Sequence, residues 1–170
     1  VTDFMQSSDI RNISGLSVVF ALDSLSSGPI YRYRFNVKTG EINHEAYNHA
    51  PQGEFPAWNR GVTGRPSKYA YYLAMLDNGT PFTFNALVKL DTETGAYQTR
   101  DYGENRYTSE ALFAPREGAS SEDDGYLLSF VYDATRHATD IVILDARDPQ
   151  EELAAVKLSH HVPFGFHGHF

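Results

Sequence analysis

Hydrophobic and polar residues alternate along much of the chain, in short segments that are separated by polar turns. Three such segments read YRYRFNVKTGEI from Tyr31, LVKLDTETGAYQ from Leu87 and DIVILDARDPQEELAAVKL from Asp140. A period of two predicts strands that bury one face, and a polar turn between two of them predicts a β-hairpin. The pattern therefore predicts hairpin turns at Asn36–Gly40, Asp91–Gly95 and Asp145–Pro149.

These hairpins recur at a regular interval. The turn positions Asn36, Asp91 and Asp145 follow one another at about 55 residues, a period typical of repeat architectures. The strand signals that precede the hairpins begin at Gly15, Lys68 and Gly125, and they keep the same interval. No long segment has the apolar spacing of an amphipathic helix, and the best helical candidate, PQEELAAVKL, also reads as a turn followed by a strand.

A repeat of about 55 residues with several strands predicts an all-β fold built from blades of a β-propeller. The approximate repeats are 1–50, 51–109 and 110–170. Because propellers usually have roughly 4–8 blades, these three are expected to be part of a larger ring. The alternative is a β-sandwich in which the spacing is fortuitous.

Composition narrows the possible functions. The 170 residues are 41% hydrophobic, which is enough for a globular domain with a substantial core. The formal net charge of -8 offers no basic surface for a phosphate backbone, so nucleic acid is not an expected partner. With no cysteine and no recognisable signal peptide, a cytoplasmic location is favoured. The chain starts at Val1 rather than at methionine, so we expect a fragment or a processed product.

The repeat places one histidine on an inner strand. The segments GEFPAW, EALFAP and VPFGFHGHF return the chain from each hairpin to the next inner strand. They put Glu54, Glu110 and His167 at equivalent positions of the repeat. A neutral imidazole near a propeller axis is a natural metal ligand. The other interpretation is that His167 packs in the core, and one histidine alone does not make a metal site.

The other six histidines are weaker candidates. His160 and His161 are neighbours in a predicted strand, so their side chains would point to opposite faces. His169 would share a face with His167 and compete with it as a ligand. Three more lie in polar, turn-like surroundings that predict solvent exposure: His44, His49 and His137.

Two glutamates are candidates for a supporting role. The segment SSEDDGYLL has Glu122 as its first carboxylate and can be interpreted as an ordinary acidic turn. In the other interpretation, the Glu122 carboxylate accepts the N–H of a metal-bound imidazole. Glu54 precedes apolar residues that would carry it into the interior, where a carboxylate needs a partner. The sequence lacks G-x-S-x-G, H-E-x-x-H, phosphate-loop and calcium-loop patterns, so the usual motifs of hydrolases and nucleotide-binding proteins do not support those functions here.

Four segments, in order along the chain, resemble the C-terminal part of the carotenoid oxygenase family, which includes carotenoid and stilbene cleavage enzymes and a retinoid isomerase. They are GEFPAWNRGVTGRPSKYAYYLA, APREGASSEDDGYLLSFVYDA, IVILDARD and VPFGFHGHF, and together they cover Glu54 to Phe170. The resemblance is carried above all by EDDG combined with a terminal GFHG. Residues 1–50 resemble the family only through their strand-and-hairpin pattern.

The resemblance implies a fold and a metal site. The chain would form the C-terminal three or so blades of a seven-bladed propeller with ferrous iron, Fe(II), on its axis. The family binds this iron through four histidines, three of which pair with glutamates. By motif, His167 corresponds to the last iron ligand, and Glu54 and Glu122 to two of the glutamates. No residue of this chain is then needed as a catalytic acid or base.

The resemblance also implies an activity. The parent protein would use O2 to cleave a conjugated C=C bond of an apolar small molecule into two carbonyl products. Its partners would be that substrate, O2 and the remaining blades, and any membrane contact would come from parts outside this chain. The chain alone carries one family ligand and is expected to be inactive. The alternative is a non-catalytic propeller fragment or interaction module.

Overall fold

A computed structural model describes residues 28–76 and 83–165. Within these ranges the only helical element is a short 3₁₀ turn at Arg60–Val62. None of the described residues forms a helix long and apolar enough to cross a membrane. The strands are β1 (Tyr31–Phe35), β2 (Ile42–Ala46), β3 (Gly53–Ala57), β4 (Tyr69–Ala74), β5 (Ala86–Asp91), β6 (Tyr97–Asp101), β7 (Arg106–Thr108), β8 (Leu112–Pro115), β9 (Gly125–Asp133), β10 (Ala138–Asp145) and β11 (Glu152–Lys157).

The strands form three antiparallel sheets in chain order. The first contains the β1–β2 hairpin, the second has the order β3-β4-β5-β6, and the third has the order β11-β10-β9, with both β7 and β8 paired to the free edge of β9. The predicted all-β class and the three predicted hairpins, β1–β2, β5–β6 and β10–β11, are confirmed. The strand predicted from Gly15 lies outside the described residues.

The first two hairpin turns share one chemistry. The side-chain oxygen of Asn36 accepts hydrogen bonds from the amides two and three positions ahead, and that of Asp91 does the same in the second hairpin. Gly40 and Gly95 close these turns with φ angles of 75° and 76°, which a residue with a Cβ adopts at a cost. Local side-chain chemistry therefore fixes where the chain reverses, as the sequence predicted.

The second sheet is covered on both faces. On one face Tyr71, Leu73 and Leu87 pack against the third sheet in a large apolar cluster. On the other face Tyr72, Val88 and their neighbours pack against the segment that follows the β1–β2 hairpin. A two-sheet sandwich would leave the outer face of each sheet to solvent, so this stack of three layers is not the sandwich alternative.

The stacking aligns equivalent edges of the second and third sheets. At one edge, β3 lies near β8, and residues of both border a common cavity. At the opposite edge, Arg100 of β6 forms an ion pair of 2.6 Å with Glu152 of β11. β3 and β8 therefore lie on the same side of the molecule, where the inner strands of a propeller would be.

A buried lysine ties the two sheets together. Nζ of Lys89 in β5 donates to Asp123 at 2.7 Å and to the carbonyl of Arg147 at 2.8 Å, and it lies 4.3 Å from the ring centre of Tyr69. Burial opposes ionisation of Asp123, but the hydrogen bond and charge of Lys89 outweigh it, so the pKa of Asp123 is lowered. Asp123 is therefore ionised at neutral pH, and its pairing with Lys89 joins the two sheets.

We predict that Lys89→Met lowers the free energy of unfolding by about 3–5 kcal/mol, because it leaves the Asp123 carboxylate buried without its cation. Adding Asp123→Asn should recover part of this loss by removing the unpaired charge. Urea unfolding of the single and double variants measures both effects. A double variant less stable than Lys89→Met would contradict the assignment of the pair.

Candidate functional site

Glu54 lies in an irregular part of β3. The pairing of β3 with β4 shifts register between Glu54 and Ala57, so that Phe55 and Pro56 form a bulge. Phe55 has a φ of 57°, an unfavourable conformation for a bulky side chain, and its ring packs edge-on against Phe84. Bulges of this kind re-aim side chains and are frequent beside active sites, as is local backbone strain.

The strand can approach β4 this closely because residue 53 is glycine. A Cβ on Gly53 would lie 2.1 Å from the carbonyl oxygen of Leu73 and 2.5 Å from the ring of Tyr72. Any side chain at this position would push the strand away from its neighbour. The position of the Glu54 backbone therefore depends on the glycine that precedes it.

The Glu54 carboxyl is half-buried, and burial raises its pKa. Within residues 28–76 and 83–165 it makes no hydrogen bond and no ion pair. A carboxyl that is removed from water without a partner costs folding free energy. This is the arrangement expected of a group whose partner is supplied by another part of the protein.

Glu110 is a second carboxylate on the same side of the stack. It lies in the three-residue gap between β7 and β8, which pair with successive parts of β9. It borders a cavity of about 730 Å³ together with Pro56 and Ala57, which follow Glu54. No role was predicted for Glu110 from the sequence, although its place one full repeat after Glu54 is the signal that identifies it.

Glu110 also borders a second, more apolar cavity of about 430 Å³. This cavity lies over the third sheet and is lined on one side by the C-terminal segment, through Val162, Pro163 and Phe164. The chain leaving this segment continues to His167. Glu110 therefore lies between the Glu54 strand and the segment that leads to the predicted iron ligand.

Glu122 has a different environment. Its Oε1 accepts hydrogen bonds from the Ser67 hydroxyl and from the amides of Lys68 and Tyr69, each at 2.9–3.0 Å, and Oε2 also accepts from the Lys68 amide. Its own carbonyl accepts from the Asn59 side chain at 2.9 Å. These contacts hold the acidic turn against the start of β4, and they satisfy the half-buried carboxylate without an imidazole.

The other carboxylates of the acidic turn are also held by the fold. Asp123 pairs with Lys89, and Asp124 pairs with Arg116 at 3.0 Å and accepts from the Ser120 amide. The hydrogen bond from the Ser120 amide and the pairing with nearby arginines lower the pKa of Asp124. The turn is therefore an ordered junction between two sheets.

The histidines are only partly described. His167, the predicted iron ligand, and its competitor His169 lie outside the described residues, so both roles stay predictions. His44, His49 and His137 are exposed, as predicted. His160 and His161 are exposed too, but the strand predicted there is wrong, because β11 ends at Lys157 and the chain bends away.

Among the residues that the structure describes, no three histidine, aspartate or glutamate side chains converge as a metal site. The described carboxylates nevertheless suit a metal centre completed by other blades. Glu54 is an acceptor without a donor in this part of the chain. Such an acceptor fits the N–H of a metal-bound imidazole.

A family model described as RPE65, retinal pigment epithelial membrane protein, matches residues 3–170. The chain belongs to the RPE65, or carotenoid oxygenase, family. Apocarotenoid-15,15'-oxygenase from Synechocystis sp. is 32% identical to it over 147 residues, which cover 86% of this chain and 30% of that protein. Carotenoid 9,10(9',10')-cleavage dioxygenase 1 from Arabidopsis thaliana is 34% identical over 184 residues, covering 100% of this chain and 33% of that protein.

Solved structures of this family share the fold. A variant of Synechocystis apocarotenoid oxygenase superposes with a TM-score of 0.79 at 30% identity, covering 95% of this chain and 32% of that one. A cobalt-substituted form of the same enzyme gives a TM-score of 0.76 and covers 31% of its chain. That enzyme is a seven-bladed β-propeller, so the sheets described above are part of such a propeller, as predicted. The chain spans about a third of the length of these family members.

We predict that Glu54→Gln raises the melting temperature of this chain at pH 7–8. A raised carboxyl pKa means that ionisation costs stability once the pH exceeds the ordinary glutamate pKa of about 4.3, and glutamine removes that cost. The gain should therefore disappear as the pH falls towards about 4. Thermal unfolding between these pH values measures it, with the exposed Glu117→Gln as the matched control. A destabilised Glu54→Gln at neutral pH would contradict the prediction.

We predict that Glu122→Gln destabilises the chain, whereas Glu54→Gln stabilises it. The substitution replaces an oxygen that accepts backbone amides by a donor, so the free energy of unfolding should fall by about 1–3 kcal/mol. Chemical unfolding measures this, again against Glu117→Gln. Unchanged stability would show that the contacts to residues 67–69 contribute little to the fold.

Proposed function

We propose that this chain is the C-terminal part of an Fe(II)-dependent dioxygenase that cleaves a conjugated C=C bond of an apolar carotenoid-like substrate. Both oxygen atoms of O2 are consumed, and each carbon of the broken bond becomes a carbonyl. Membership of a family whose named relatives cleave carotenoids and apocarotenoids supports the reaction class. The observation from this chain that carries the proposal is the half-buried Glu54 carboxyl at the edge of the second sheet, which has no partner within residues 28–76 and 83–165.

The residues of this chain divide into one ligand and two supporting carboxylates. His167 is the proposed ligand, because its position continues the inner-strand series of Glu54 and Glu110 at the same interval. We assign the supporting roles to Glu54 and Glu110 rather than to Glu122, whose carboxylate already binds the start of β4. Cobalt substitution of a solved family member supports a metal site in this fold.

The iron, when bound, supplies the redox chemistry that couples O2 to double-bond cleavage. The carboxylates of this chain act on the protons of imidazoles. A carboxylate that accepts the N–H of one ring nitrogen fixes the tautomer, so the other nitrogen presents its lone pair. Glu54 accepts such a bond most strongly when it is ionised, and a hydrogen bond from an imidazole would offset the burial that raises its pKa.

The test is the iron content of the complete protein. We expect His167→Ala to lose its iron, and Glu54→Gln and Glu110→Gln to weaken iron retention by about 10–100-fold, because outer partners tune ligands that remain present. Glu122→Gln should retain iron at conditions where it stays folded, which makes it the matched carboxylate control. Elemental analysis after dialysis against a chelator gives all four values.

Unchanged iron in His167→Ala would overturn the proposal and leave a non-catalytic propeller or interaction module. Loss of iron in Glu122→Gln with unaltered stability, together with normal iron in Glu110→Gln, would return the supporting role to Glu122. Oxygen uptake with an apocarotenoid and a stilbene, measured on the iron-loaded protein, tests the substrate class separately.

A further inference from the structure

The segment that follows β11 is bound to a single residue of β10. The Thr139 amide donates to the carbonyl of His160 at 3.1 Å, and the Thr139 carbonyl accepts from the amide of Leu158 at 3.0 Å. The Thr139 hydroxyl accepts from the amide of Val162 at 3.0 Å. Both backbone polar groups of Thr139 and its hydroxyl are therefore directed at the C-terminal segment.

Thr139 is well suited to hold that segment in one place. It is 1% exposed and lies in the middle of its sheet, where β9 pairs with β10 along eight residue pairs. The hydroxyl bond falls beyond the end of β11, where the regular ladder no longer fixes the chain. Removing it would leave the Val162 amide without the only acceptor that the described residues give it.

Aromatic contacts support the same segment. The ring of His161 lies edge-on to Tyr132 with centroids 4.5 Å apart, and Phe164 packs on the same tyrosine at 5.9 Å. Tyr132 also makes a hydrogen bond of 3.2 Å with Nδ1 of His137 at the β9–β10 turn. The segment is thus attached to neighbouring strands through two independent kinds of contact.

We propose that Thr139 is a positioning residue for the metal centre: its hydroxyl binds the Val162 amide and so fixes the course of the C-terminal segment that continues to His167. This rests on the proposed function. His167 is five residues beyond Val162, so the chain between them spans at most about 17 Å. A metal–nitrogen bond is only about 2 Å long, so binding of a metal is sensitive to the course of the segment that carries its ligand.

The test uses the complete protein with Thr139→Val, which keeps the shape and removes the hydroxyl, and Thr139→Ser, which keeps the hydroxyl. Thr99→Val is the control, because Thr99 is a half-buried strand residue of the neighbouring sheet. Two quantities are measured: amide hydrogen exchange in the metal-free protein and iron affinity. Thermal unfolding confirms that each variant is folded.

We expect Thr139→Val to expose the Val162 amide to exchange, while the Leu158 amide stays protected because its acceptor is a backbone carbonyl. Iron affinity should fall by about 10–100-fold, the range typical of lost supporting contacts, and Thr139→Ser should restore both quantities. Thr99→Val should change neither.

Normal iron affinity in a folded Thr139→Val, or equal loss in Thr139→Ser, would overturn the positioning role. A wild-type protein that binds no iron, or a His167→Ala variant that keeps it, would instead overturn the proposed function. Hydrogen exchange distinguishes failure of the positioning role from failure of the proposed function, because it measures the Thr139–Val162 hydrogen bond in the metal-free protein.

Discussion

The arrangement of this chain depends on the burial of both faces of β4 and β5. Consecutive residues of β4, such as Tyr71 and Tyr72, are each 1% exposed and point into different apolar clusters. A strand whose two faces are both buried needs a layer on each side, so the sheet can exist only inside a stack. Burial of this kind is the largest favourable contribution to folding, and here it also orders the sheets.

The stack determines where chemistry can occur. When sheets pack face to face, strands that are far apart in the sequence meet at one edge, as β3 and β8 do around a common cavity. Two different local features bring Glu54 and Glu110 to that edge. Glu54 lies beside a bulge in β3, and Glu110 lies in the gap between β7 and β8. The close approach of Gly53 to β4 fixes one of them, and the pairing of β9 with both short strands fixes the other.

The sequence was sufficient to predict the hairpins, because their turn chemistry is local. Asn36 and Asp91 bind amides two and three residues ahead, so the signal and the structure occupy the same few positions. The period of the repeat also predicted that Glu110 is equivalent to Glu54, because each repeat forms most of one sheet and residues one period apart take equivalent places in successive sheets. The strand predicted at His160 failed because alternation continues in the sequence after the ladder to β10 has ended.

The role of Glu122 could not be predicted from its surroundings in the sequence. An acidic turn before an apolar strand has the same composition whether its carboxylates face solvent, a metal-bound imidazole or backbone amides. Its actual partners, Ser67 to Tyr69, belong to the preceding repeat, and only the packing of the two sheets brings them together. The left-handed conformation of Phe55 is likewise a product of tertiary packing, since the residue type disfavours it.

We propose that the inner-edge carboxylates Glu54 and Glu110, and not the acidic turn, support the imidazoles that bind a metal. Anomalous diffraction at the iron absorption edge, from crystals of the complete protein, tests it most directly. We expect one peak near β3 and β8, with an imidazole between the metal and the Glu54 carboxylate and another between the metal and that of Glu110. A peak bonded directly to either carboxylate, or one beside Glu122, would contradict it.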